Sequence, residues 1–119
     1  MDEKPVVDPA ALDRLREWGG EKLLMQMVRL FLENSSKRME QIRAGADGTD
    51  VSEAEKGAHS LKSSAANVGA MEVRRLAADI EAAALEKDQD SVRDVVPGLE
   101  HAYAEARAAL ETIVEGTSE

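Results

Sequence analysis

The sequence has no cysteine and only three aromatic residues, and these absences narrow what the protein can be. Without cysteine there is no disulfide, no thiolate nucleophile and no cysteine-ligated zinc site, which fits a reducing cytosol. No apolar run approaches the roughly 20 residues that a membrane-spanning helix needs. The N-terminal MDEKPVV lacks the basic and apolar regions of a signal peptide. We therefore expect a cytoplasmic protein without a membrane segment.

Acidic residues outnumber basic residues by 24 to 15, which gives a net charge of −9 at pH 7. A phosphate backbone or an anionic membrane surface would repel such a chain, so neither nucleic acid nor a membrane is an expected partner. At 119 residues the chain fits one domain. Its apolar residues are mainly Leu, Val, Ile, Met and Ala, a composition that favours helices over strands.

Apolar residues recur every three or four positions in five segments, which predicts five helices. Asp8 is the expected N-cap of the first helix, with Pro9 at its first position, and a Gly-Gly pair ends that helix at Gly19. Pro97 should kink the last helix without breaking it, because the apolar phase is the same on both sides. The predicted helices cover approximately residues 9–18, 21–44, 51–68, 71–88 and 91–115.

Four long amphipathic helices joined by short polar connectors predict an all-α fold, an antiparallel four-helix bundle with the short first helix as a lid. We expect Trp18 to pack within the lid. Before the third helix, Asp50 and Glu53 have the spacing of a capping box. The bundle should span residues 8–115, with flexible segments at 1–7 and 116–119.

The third predicted helix carries the stretch AHSLKSSAANVGA, which begins at Ala58. At about 100° per residue its apolar residues share one narrow arc, which predicts a buried seam. On the same wheel His59 lies roughly 140° from the centre of the seam and should face water or a partner. The seam residues are Ala54, Ala58, Leu61, Ala65 and Val68.

His59 is the candidate for chemistry, because a neutral imidazole carries a nitrogen lone pair that can attack phosphorus. Lys62, three residues further on, and the hydroxyl of Ser63 could stabilise a phosphorylated ring by charge-assisted hydrogen bonds. The carboxylate of Glu55, one turn earlier, could orient the ring, although a charged neighbour at this spacing is more often an ordinary surface residue with no functional role. The side chains around the ring are not bulky and should leave a shallow floor: Ser52, Glu55, Ser63 and Ala66.

The sequence contains neither a Gly-rich phosphate loop nor a GK[ST] signature. We therefore expect no autonomous ATP-dependent kinase activity and no bound cofactor. Phosphoryl transfer generally needs a metal, so a partner should bring Mg²⁺ and the activated phosphoryl group. His101 lies on the polar side of the last helix, and with two histidines on different helices no metal site is expected.

The stretch around His59 resembles the signature of histidine-containing phosphotransfer (HPt) domains, approximately H-x-L-K-G-x-S-x-x-hydrophobic-G. In this resemblance His59 matches the phospho-acceptor, Leu61 the buried anchor, Lys62 the phosphate-side cation, and Gly69 the helix end after apolar Val68. Ser63 stands where the family pattern usually has glycine, which bears on rate and partner choice. The helical pattern extends the resemblance over nearly the whole chain.

The resemblance implies a phosphorelay intermediate that accepts a phosphoryl group from a receiver-domain phospho-aspartate and passes it to another receiver. It also implies receiver domains, and a hybrid histidine kinase, as partners of a monomer. Docking should use the surface beside His59 together with the second predicted helix. The expected docking residues are Ser52, Glu55, Lys56 and Ala66. The alternative, which Ser63 favours, is a non-phosphorylated helical adaptor module.

Overall fold

The computed structural model describes residues 5–48 and 50–116, which form four helices. The helices pack in cyclic order, because α1 and α3 each contact both α2 and α4. The predicted all-α four-helix bundle is therefore confirmed. Within the described residues, no helix is both long and apolar enough to cross a membrane. The helices are α1 (Pro9–Asp47), α2 (Ser52–Val68), α3 (Met71–Leu85) and α4 (Gln89–Gly116).

The predicted lid corresponds to the opening part of α1, which precedes a break in the helical backbone at the Gly-Gly pair. The backbone leaves the helical conformation at Gly19 (φ −155°, ψ 17°) and Gly20 (φ 70°, ψ −168°). The positive φ at Gly20 favours glycine, so the Gly-Gly pair redirects the chain within α1. Asp8 caps the N-terminus as predicted, since its carboxylate accepts from the Ala10 N–H at 3.0 Å, and Pro9 follows it.

The opening part of α1 packs against the end of α2. The Asp8 N–H donates to the Gly69 carbonyl at 2.8 Å, and Val7 and Ala11 are buried. Gly69 ends α2 in the left-handed conformation, with φ 80°, as predicted. A Cβ there would lie only 2.8 Å from the Asp8 carbonyl oxygen. Of the segments predicted to be flexible, residues 1–4 and 117–119 lie outside the described residues.

The prediction that Trp18 packs within the lid is wrong, because the residue is 71% exposed. Leu15 is the last buried residue before the kink, which follows directly after Trp18 at Gly19. The indole instead lines a shallow groove with Leu23 and Met27.

The predicted capping box before α2 is not formed, because the N-cap of the helix is Val51, which makes no side-chain cap hydrogen bond. The Asp50 carboxylate accepts from the Ser52 N–H at 2.9 Å. Hydrogen bonding with the Ser52 side chain, and then with its backbone, lowers the pKa of Asp50. Glu53 does not complete the box, because its carboxylate accepts from the side-chain amide of Gln41 on α1 at 3.0 Å. The tertiary contact between the two helices therefore replaces the local one.

α4 continues through Pro97 without a break, as predicted, and its first turns cap α1. The last carbonyls of a helix have no partner within it. The Gln89 amide donates to the carbonyls of Gly45 and Gly48 at 3.0 and 2.9 Å, and the Arg93 guanidinium donates to the Ala46 carbonyl at 2.8 Å.

α1 and α2 approach closely where glycine faces the partner helix. A Cβ at Gly45 would lie 2.3 Å from the backbone nitrogen of Ala54, and one at Gly57 would lie 3.0 Å from the Arg38 carbonyl oxygen. Both glycines are buried. At Gly45 the two backbones therefore meet at a distance that no side chain allows, and at Gly57 a Cβ would fit only if its neighbours shifted by a few tenths of an ångström.

We predict that Gly45→Ala lowers the free energy of unfolding by about 1–3 kcal/mol, the usual cost of overpacking, because the new methyl group forces α1 and α2 apart. Urea denaturation measures the change. Gly98→Ala is the matched control, since its Cβ would meet only a Leu76 methyl group at 3.9 Å. Equal stability of the two variants would contradict the close packing.

Candidate functional site

The buried seam of α2 determines which way His59 points. All five predicted seam residues are at most 1% exposed, from Ala54 to Val68. The family pattern has serine at the position of Ala65, which is fully buried in the seam here. The imidazole of His59 lies away from the seam and is 64% exposed, as predicted. The fold therefore presents this side chain at the surface.

A carboxylate from α3 connects His59 and Lys62. One Glu81 oxygen, Oε2, lies 2.6 Å from His59 Nδ1, and the other, Oε1, lies 2.5 Å from Lys62 Nζ. The Glu81 side chain is only 12% exposed. The three side chains form one hydrogen-bonded cluster between α2 and α3, which we call the α2–α3 triad.

The hydrogen bonds in the triad favour the ionised form of Glu81 and place a proton on one ring nitrogen of His59. The Lys62 ammonium, followed by the contact with His59, lowers the pKa of Glu81 against the opposing effect of burial. An ionised carboxylate can only accept hydrogen bonds, so the contact with His59 requires a proton on Nδ1. In the neutral ring the lone pair then lies on Nε2.

Glu81 was not predicted from the sequence, in which Glu55 was considered as a carboxylate that could orient the ring but was weighed as an ordinary surface residue. In the structure the carboxylate bonded to His59 comes from α3. A signal for Glu81 does exist: it lies about 40° from buried Ala77 and 60° from buried Ala84 on the helical wheel. A carboxylate so close to a buried face needs a polar partner.

The other candidate residues of α2 lie on the same side as His59. Ser52, Lys56 and Ser63 are exposed, whereas Glu55 and Ala66 are half-buried. The start of α2, the end of α3 and the connector to α4 line a cleft of about 510 Å³ one turn before the histidine. Its walls include Ser52, Glu55, Ala84, Leu85, Lys87 and Gln89.

Outside the triad, His101 is a surface residue, as expected. Its side chain is 79% exposed and lies 3.5 Å from the Glu105 carboxylate on the same helix. Over the described residues, no three histidine, aspartate or glutamate side chains converge in a way that could hold a metal ion.

A four-helix bundle with an exposed histidine on its second helix, and a lysine one turn further on, defines a histidine phosphotransfer module. The family model described as "Hpt domain" matches residues 26–112. The chain belongs to this family, whose members act as phosphorelay intermediates. Phosphorelay proteins such as receiver domains and histidine kinases are therefore its class of partner.

Two solved structures share the fold. Histidine-containing phosphotransfer protein B (HptB) from Pseudomonas aeruginosa PAO1 has a TM-score of 0.87 at 20% identity, over 95% of this chain and 97% of that chain. A rice protein described as a histidine-containing phosphotransfer protein has a TM-score of 0.79 at 18% identity, over 92% and 80% of the two chains. No curated protein matches the sequence significantly.

We predict that Glu81→Gln lowers the free energy of unfolding at neutral pH and that the loss disappears in acid. Folding lowers the pKa of Glu81 from its ordinary value of 4.5. The ionised carboxylate therefore stabilises the fold fully at pH values above 4.5. This contribution is lost as the pH falls through the folded pKa. Urea denaturation of both proteins over the acidic range gives the difference.

The matched control for this measurement is Glu105→Gln, which removes the carboxylate of the exposed pair with His101. Exposed pairs contribute about 0–1 kcal/mol, so this variant should show little pH-dependent loss. A loss for Glu81→Gln that persists unchanged below the folded pKa would show that the ionised carboxylate is not its source.

Proposed function

We propose that His59 is the phospho-acceptor, which takes the phosphoryl group from a receiver-domain phospho-aspartate and passes it to another receiver. The α2–α3 triad gives the strongest support for His59 as the acceptor. Glu81 accepts a hydrogen bond from Nδ1 of the ring, while the side chain of His59 is 64% exposed. The lone pair of the neutral ring is thereby placed on Nε2. Ser63, exposed one turn further on, is proposed as an additional hydrogen-bond donor to the phosphoryl oxygens.

The transfer step needs little from this chain beyond the nucleophile. Catalysis of phosphoryl transfer depends mainly on positioning and on neutralising the phosphoryl oxygens, usually with Mg²⁺. We expect the receiver domain to supply both the Mg²⁺ and the acidic pocket around its aspartate. This chain would bind no cofactor of its own.

The proposed docking face surrounds the ring on α2 and extends to both neighbouring helices. Its α2 residues are Ser52, Glu55, Lys56 and Ala66. Leu85 on α3 is 65% exposed beside the cleft, and Leu30 on α1 is 48% exposed in a groove shared with α2. Exposed apolar side chains on either side of an acceptor suit a partner that covers them on binding.

We further propose that the protein works in the cytoplasm as a monomer, where it meets free receiver domains or those of a hybrid histidine kinase. The absence of cysteine from its sequence is consistent with that compartment.

Incubation with Mg²⁺ and a phosphorylated receiver domain tests the acceptor. We expect acid-labile, base-stable label on the wild type, complete loss of label in His59→Gln, and full label in His101→Gln. The second variant is a matched control, since His101 is also an exposed helical histidine beside a carboxylate. Label that persists in His59→Gln would show that another residue is the acceptor. The absence of label from any cognate receiver would favour the adaptor function.

Charge reversal tests the docking face. Lys56 is exposed one turn before His59, where it would face the acidic pocket of a receiver. We expect Lys56→Glu to raise KM for the phosphorylated receiver up to about fivefold at low salt, as an exposed charge pair of about 1 kcal/mol implies. The effect should shrink as salt increases.

Lys22→Glu is the control for this charge reversal, because Lys22 is also exposed but lies next to the α1 kink. An equal increase in KM for both variants would show that overall charge matters and not the proposed face.

A further inference from the structure

The hydroxyl of Ser63 is a hydrogen-bond donor that the fold leaves unused. Ser63 is exposed on α2 and makes no hydrogen bond with any residue that the structure describes. The next residue is different, because the Ser64 hydroxyl donates to the carbonyls of Ser60 and Leu61 at 3.1 and 3.2 Å. Hydroxyls within a helix often donate to the preceding turn in this way. Ser63 instead keeps a free donor at the surface.

The free hydroxyl lies beside the proposed acceptor. Ser63 follows His59 by four residues, so their Cβ atoms are about 5–6 Å apart on one face of α2. Side chains on a helix incline toward its N-terminus, which tilts the Ser63 hydroxyl toward the turn that carries His59. The His59 side chain is 64% exposed, so a group bound to Nε2 lies at the same surface. A phosphoryl group on the ring therefore comes within reach of this hydroxyl.

The charged neighbours of the ring are less suited to bind phosphoryl oxygens. The Lys62 ammonium lies 2.5 Å from Oε1 of Glu81, which compensates part of its charge. The carboxylate of Glu55, one turn before the ring, can only accept hydrogen bonds when it is ionised. Ser63 can donate without breaking any bond within the protein, because its hydroxyl has none among the described residues.

We infer that Ser63 donates a hydrogen bond to the phosphoryl group once this group is on His59, and thereby shifts the transfer equilibrium toward this chain. The inference rests on the proposed role of His59 and extends it, because it concerns how firmly the phosphoryl group is retained. The family pattern usually has glycine at this position, which offers no such donor. This chain should therefore retain the phosphoryl group more firmly than a variant with glycine there.

The chemistry of the step shows why the hydroxyl acts on one side of the equilibrium. The Nε2 lone pair forms the N–P bond, the P–O bond of the partner's phospho-aspartate breaks, and its electron pair remains on the aspartate carboxylate. Ser63 keeps its proton throughout and only shares it with a phosphoryl oxygen. In the unphosphorylated chain the exposed hydroxyl is solvated, so the new bond stabilises the phosphorylated chain alone.

The partition of label between the full chain and a receiver domain, in the presence of Mg²⁺, tests this inference. The equilibrium is approached from both sides, from the phosphorylated receiver and from the chain phosphorylated chemically with phosphoramidate. We expect Ser63→Ala to lower the ratio of labelled chain to labelled receiver about two- to tenfold, the usual net effect of one hydrogen bond. Ser63→Gly should lower the ratio by the same factor. A change in Ser63→Gly alone would show that side-chain size is the cause and would overturn the inference.

Ser64→Ala is the matched control, since it removes a hydroxyl of the same helix that is already bonded to carbonyls of α2. It should leave the partition unchanged. A second receiver domain gives an independent check, because a hydrogen bond within this chain should have the same effect with both partners. A factor for Ser63→Ala that differs between the two receivers would show that Ser63 contacts the partner instead, contrary to the inference.

Failure of this inference is distinguishable from failure of the proposed function. An unchanged partition in Ser63→Ala, with label still on His59, would overturn the inference and leave the acceptor role intact. A wild-type chain that takes no label by either route would reject the acceptor role and the inference with it. The variant should fold normally, because Ser63 is exposed and alanine is the best helix former.

Discussion

The rotation of α2 about its own axis is the constraint on which the site depends. Small seam residues, such as Ala54 and Ala58, let α2 lie close to both α1 and α3. At Gly45 the approach leaves no room for a Cβ, and at Gly57 it leaves little. A shift of one residue, about 100°, would bury His59 and expose part of the seam. Tight packing of small residues therefore determines the direction of a functional side chain that it does not touch.

The triad holds a carboxylate at the edge of the core, which costs desolvation free energy. Burial of Glu81 opposes its ionisation, whereas the hydrogen bonds of Lys62 and His59 favour it, and the balance lowers its pKa. Removing one partner would leave a poorly compensated charge, which is costly in a low-dielectric surrounding. The three side chains are thus interdependent: the lysine stabilises the carboxylate, and the carboxylate orients the histidine.

Hydrophobic periodicity correctly predicted the features that depend on the spacing of residues within a single helix. The buried seam, the exposure of His59 and the helix end at Gly69 follow from spacing along a single segment, and the structure confirms them. The exposure of Trp18 and the contacts of Glu53 and Glu81 depend on distances between helices. Local rules assigned Glu53 to its own helix end, yet the amide of α1 competes successfully for it. The contact between Glu81 and His59 likewise depends on how two helices pack, because the two residues are 22 positions apart in the sequence.

The net charge of −9 would repel the acidic pocket of a receiver domain. Recognition of such a partner therefore requires that the charges and apolar side chains near the contact outweigh the net charge of the chain. Screening at physiological ionic strength limits charge effects to about 8 Å, so distant acidic residues contribute little at the docking face. Within that range Lys62 already lies on Glu81, and its positive charge is largely compensated. On the proposed docking face, exposed Lys56 would supply the attraction, and the exposed apolar side chains of Leu30 and Leu85 would supply area for a partner to cover. The surface that follows from this distribution combines modest charge attraction with apolar contact, which suits a partner that must leave after each transfer.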